Sequence, residues 1–113
     1  MIKVHGIKNC DTVRKALKFF KENSIDYDFF DFKKEEVTSN MIDYWLENSS
    51  IDKLFNNRGA TYRNLKLKDL NLDDEGKIKW LKKESMLLKR PVIEYNNKII
   101  VGFNEQEYKD IFL

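Results

Sequence analysis

The spacing of apolar residues changes period as the chain runs. Ile2-Lys3-Val4-His5 alternates apolar with polar and predicts a strand, closed by Gly6. From Asp11 the period lengthens. Val13, Ala16, Leu17 and Phe20 fall at the i, i+3, i+4, i+7 spacing of one buried helix face, with Lys and Arg opposite, and Asn23-Ser24 ends the helix. Tyr27 to Phe32 predicts a second strand, its alternation interrupted by Phe29-Phe30. A helical crossover between two strands favours a parallel pair in one sheet.

The middle of the chain reads as helical throughout. Ser39 is the expected N-cap for a helix over Met41 to Asn48, with an apolar stripe of Met41, Ile42, Trp45 and Leu46. A short turn follows over Ile51 to Phe55, then an Asn57-Arg58-Gly59 loop and a short helix from Tyr62 to Leu67. Asp73 is placed to cap a helix running to about Leu87 that buries Ile78, Leu81 and Trp80. The aromatics Tyr44, Trp45, Tyr62 and Trp80 all fall on helical faces and are expected in the core. The end returns to strands, with Pro91 to Tyr95, an Asn96-Asn97 turn and Lys98 to Val101 forming a hairpin. Asn104 caps a last helix that turns Tyr108, Ile111 and Phe112 inward. The order β-α-β, helices, β-β-α is that of an α/β thioredoxin-like fold with a mixed sheet, one domain over residues 1–113 with a helical insertion at about 38–88.

Composition narrows the function classes. The length of 113 residues fits a single core, and 42% hydrophobic with 35% charged residues is the balance of a soluble globular chain. Lys and Arg total 21 against 19 Asp and Glu, too even a balance for bulk charge to imply direct nucleic-acid binding. No apolar run is long enough to cross a membrane, and the N-terminus enters a strand without a signal peptide, so a cytoplasmic protein is expected. One cysteine, Cys10, and one histidine, His5, leave no internal disulfide and no multi-cysteine metal site.

Cys10 is the residue that most suggests chemistry. It lies in Gly6-Ile7-Lys8-Asn9-Cys10-Asp11-Thr12, where the first strand hands over to the first helix. Free N–H groups at a helix start stabilise a thiolate over a thiol, and Lys8 adds positive charge while Asp11 opposes it slightly. A dithiol motif would need a second cysteine at position 13, and Val13 stands there. Any redox cycle is therefore monothiol and needs an outside thiol to resolve it. Arg58, Arg63 and Arg90 stand apart from the lysine background as candidate anion donors. His5 reads as a satisfied or exposed strand histidine rather than a base, and Arg14 as a solvated side chain.

Three segments carry a resemblance to a known family. Gly6 to Ala16, with Cys10 in it, closely resembles the active-site segment of the YffB-type proteins of the arsenate reductase (ArsC) family. Asn57 to Leu65 is similar to their second motif and Lys89-Arg90-Pro91-Val92-Ile93 to their third. The tail, Ile100 to Glu105, resembles both the YffB-type proteins and the Spx regulators. The resemblance implies a cis-proline at Pro91 and a nucleophilic Cys10 steadied by Arg90. The expected substrate site is drawn from Lys8, Asn9, Asp11, Thr12 and Pro91, with Arg58 and Arg63 as an anion site of a different kind, suited to a carboxylate-bearing thiol such as glutathione. No bound cofactor is implied; glutathione is the expected co-substrate, with glutathione or a glutaredoxin or thioredoxin as recycling partner and a monomer as the expected state. The alternatives it brings are an Spx-like regulator that binds RNA polymerase and an arsenate reductase.

Overall fold

A computed structural model describes residues 1–113. β1 (Lys3–Gly6) lies inside the sheet with a neighbour on each side. On one side it runs parallel to β2 (Asp28–Asp31), with Val4 opposite Phe29. On the other it runs antiparallel to β3 (Val92–Tyr95), with His5 opposite Val92, and β3 pairs antiparallel with β4 (Lys98–Val101). The strand order β2-β1-β3-β4 makes the mixed sheet of a thioredoxin-like fold. Asn96 and Asn97 both take left-handed backbone angles, φ 48° and 62°, as the tight turn between β3 and β4 requires.

The crossover between β1 and β2 is α1 (Asp11–Glu22), and the chain ends in α6 (Glu105–Phe112), capped by the Asn104 side chain. Ile2 and Val4 with Ile93 and Ile100 pack against Ala16, Phe19 and Phe20 of α1 and Tyr108 of α6. Phe19 is buried where the heptad-like stripe predicted Leu17, which is only half-buried. The difference arises because Phe19 lies edge-on to Tyr108 and Phe103, widening the buried face. Tyr108 is fully buried amid these rings, and its hydroxyl donates to the Gly102 carbonyl at 2.5 Å. Burial pushes its phenol well above the ordinary value.

The chain divides into two compact units, Met1–Glu35 with Arg90–Leu113 and, separately, Glu36–Lys89. The second contains α2 (Ser39–Glu47), α3 (Ile51–Leu54), α4 (Ala60–Asn64) and α5 (Asp74–Lys83). Several boundaries there differ from the sequence expectation. Thr38, not Ser39, caps α2: its hydroxyl accepts from the Met41 N–H at 3.2 Å, so the helix starts two residues before Met41. α4 starts two residues before the predicted Tyr62–Leu67 helix and stops at Asn64, after which Lys66 turns left-handed, φ 54°, and starts a 3-10 turn over Leu67–Leu70. Asp73 does cap α5, but Glu84 is extended and splits the predicted helix, leaving a separate 3-10 turn at Ser85–Leu87.

The core of this unit includes Ile42, Trp45, Leu54, Phe55, Leu67, Leu81, Leu87 and Leu88. Of the four aromatics expected inside, only Trp45 is fully buried. Tyr62 is half-buried and edge-on to Phe55, Tyr44 is 38% exposed, and Trp80 is half-buried with the Lys83 ammonium 4.8 Å from its ring. A helical stripe specifies which residues share a face, whereas burial depends on how much of that face a neighbour covers.

Candidate functional site

Cys10 is the N-cap of α1, in extended backbone at φ −147° and ψ 122°, and its side chain makes no capping hydrogen bond. Its carbonyl accepts the first helical bond, from the Arg14 N–H at 2.9 Å. The thiol is free and half-buried. A cap that spends no side-chain acceptor on the helix leaves its sulfur and the first-turn N–H groups available to a reacting group.

Two contacts hold the segment around it. Gly6 passes so close beneath α1 that a Cβ there would come within 2.9 Å of Val13 Cγ2, fixing the distance from strand to helix. Arg14 donates from Nη1 to Asp11 Oδ1 at 2.9 Å and from Nη2 to Asn9 Oδ1 at 3.0 Å. It thereby ties the residue before Cys10 to the residue after it. Arg14 is exposed, as expected of a solvated side chain, but it is also paired, and its i, i+3 spacing from Asp11 is the signal for that pair. Asp11 is engaged by this fork. Lys8 and Asn9 are exposed, and Thr12 is half-buried in the first helical turn.

Arg90 and Pro91 enter β3 directly, and the peptide between them is cis, as the resemblance implied. Because Val92 is opposite His5, this peptide lies at the end of the sheet where β1 leaves for Cys10. Pro91 is buried, its carbonyl accepts from the Gly102 N–H at 2.9 Å, and Arg90 is half-buried. The first unit therefore carries Lys8, Asn9, Cys10, Asp11, Thr12, Arg90 and Pro91. Arg58 and Arg63 belong to the second, where both are exposed and Arg63 Nη1 donates to the Arg58 carbonyl at 2.7 Å.

His5 is 4% exposed, on the sheet face opposite Val4. Its Nε2 is 2.6 Å from Glu94 Oε2, and its ring stacks on Phe30 at 5.0 Å. Burial holds its pKa below the ordinary histidine value, and the Glu94 carboxylate only partly opposes this. Held by Glu94 and stacked on Phe30, His5 is a buried strand histidine rather than an exposed one.

No helix is long and apolar enough to cross a membrane. The ArsC family model matches residues 5–111. The chain is 38% identical over 113 residues to an uncharacterized protein of Haemophilus influenzae, covering 99% of each. A solved structure of a protein called YFFB superposes with a TM-score of 0.91 at 28% identity, over 100% of both chains. An arsenate reductase (ArsC) related protein from Brucella melitensis is 34% identical with a TM-score of 0.77, over 98% of this chain and 93% of that one. The global transcriptional regulator Spx of Staphylococcus aureus is 28% identical over 96% of this chain and 85% of its own length. A family model that runs nearly end to end, three motifs in order and the matching fold together make this chain a member of the ArsC family.

Proposed function

We propose that the protein is a monothiol, glutathione-dependent thiol reductase with Cys10 as nucleophile. The observation that carries this reading is Cys10 itself: a free, half-buried thiol at the N-cap of α1 whose side chain makes no capping bond, with Val13 where a resolving cysteine would stand. In the first step the Cys10 thiolate attacks the glutathione sulfur of a mixed disulfide. A Cys10–glutathione S–S bond forms, the substrate S–S bond breaks, and the substrate leaves as a thiolate that takes a proton from water. A second glutathione thiolate then attacks this adduct, giving oxidised glutathione and regenerating Cys10. One glutathione is oxidised per substrate thiol released, and no second protein cysteine is needed. Arg90 supplies a half-buried cation at the same end of the sheet, suited to a glutathione carboxylate.

Turnover of a glutathionylated peptide by the purified protein with reduced glutathione is the test. Loss of turnover in Cys10→Ser is the expected result; equal turnover in that variant would remove the reading. Similarity to the Spx regulator favours a second one, a module that binds RNA polymerase, in which case tagged protein would recover polymerase subunits from bacterial lysate. Arsenate reduction, suggested by the names of structural relatives, is checked by arsenate turnover with glutathione and glutaredoxin.

A further inference from the structure

Between Asp52 and Asp69 the chain carries no carboxylate, yet it holds Lys53, Arg58, Arg63, Lys66 and Lys68. The whole chain is only +2, so a concentration of cations in this one segment leaves the remainder slightly acidic. The second unit folds the segment into a shaped surface rather than a random run. Arg58, Tyr62, Arg63, Lys66 and Lys68 line an open cavity of about 350 Å³ with a single carboxylate, Asp69, and Arg58 with Asn57 also borders a neighbouring cavity of about 490 Å³ that reaches Asp52, Lys77 and Lys89. The backbone beneath is fixed. The Arg58 N–H donates to Asn56 Oδ1 at 3.0 Å, Arg63 reaches back to the Arg58 carbonyl, and Tyr62 is seated on buried Phe55. Leu65 and Leu70, in the same segment, leave 42% and 54% of their surfaces in solvent.

We propose that this surface docks an acidic polypeptide segment, one that presents several Asp or Glu side chains with apolar residues between them. Charge complementarity names the sign of the partner, and the exposed leucines name its class. A phosphate backbone would use the cations and leave Leu65 and Leu70 idle. A peptide uses both, with the carboxylates steering the encounter and the leucines supplying apolar contact. The thiol chemistry does not require this surface, so the two proposals fail separately.

The test uses the full chain, isotopically labelled, with a short synthetic peptide of alternating Asp, Glu and Leu as probe. Amide shifts confined to residues 56–71 and saturable anisotropy of the labelled peptide are expected. The double variant Arg63→Glu/Lys66→Glu should bind about tenfold more weakly while keeping its amide spectrum. Leu65→Ser, which leaves every charge in place, should weaken the same peptide without altering its salt dependence. Three results overturn the proposal: no shifts in this segment, equal binding of a peptide with Ser in place of Leu, or tighter binding of oligothymidylate of equal charge. Displacement of the peptide by reduced glutathione would also overturn it, reassigning the surface to a small-molecule anion.

Discussion

The two units solve the same problem, burying apolar surface with short elements, in different ways. The first uses a four-stranded sheet with α1 and α6 on one face, and its rings interlock: Phe20 stacks on Tyr108 at 5.7 Å and meets Phe112 edge-on at 5.0 Å. The second has no sheet; its core hangs on Trp45, Leu54, Phe55, Leu81 and Leu88, and most of its other aromatics stay partly wet. A sheet with helices on it fixes its side chains by register, so a point such as Cys10 can be held at the junction of strand and helix. Short helices and 3-10 turns expose more of each element, which suits a surface. The sheet-built unit carries the reactive thiol, and the helical unit carries the cationic segment between Asp52 and Asp69.

Substitutions can separate these roles, and the largest effect belongs to Cys10. Cys10→Ser should abolish glutathione-linked turnover while leaving the melting temperature nearly unchanged, because its side chain caps nothing. Next come the two cores. Phe20→Ala and Trp45→Ala should each cost about 3–5 kcal/mol in denaturant unfolding, since each empties a fully buried ring site. Trp80→Ala should cost only about 1 kcal/mol, because half-exposed Trp80 is covered by a lysine rather than by packed carbon. Equal costs for Trp45 and Trp80 would mean the second unit is packed as tightly as the first.

Tyr108→Phe keeps the ring and removes its hydroxyl from the Gly102 carbonyl, which should cost about 1 kcal/mol by the same unfolding measurement. A smaller effect is expected from pH. Folding lowers the His5 pKa, so as pH falls below the ordinary 6.5 the unfolded chain takes up that proton first. Stability should therefore be full above that pH and decline as it drops below, by thermal melts across the range. His5→Gln should flatten the decline. A stability that rose on acidification would show that the Glu94 contact, not burial, governs His5.

How far the sequence could be read follows the same division. Alternation at Ile2 to His5, the helical period from Asp11 and the Asn96-Asn97 turn each state a local rule that the sheet then obeys, so the first unit was legible. The second was legible in its caps, at Asp73, and in Trp45. Its breaks were not. Lys66 and Glu84 interrupt helical patterns with residues that propensity allows inside a helix, and only tertiary packing decides against them. At the candidate site, Cys10 declared itself by its neighbours and its solitude. Arg14 declared half of its role: its i, i+3 spacing offers Asp11 as a partner, but the reach back to Asn9 needs a turn geometry that no spacing rule states. The Glu94 partner of His5 lies 89 residues away in sequence and needed the strand order before it could be found.

The central claim, a single nucleophilic thiol recycled from outside, is tested most directly by intact-mass measurement of the protein after incubation with oxidised glutathione. One glutathionyl adduct on Cys10, lost on adding reduced glutathione and absent in Cys10→Ser, is the result the account predicts. A protein whose mass does not change, or an adduct that reduced glutathione fails to remove, would contradict it.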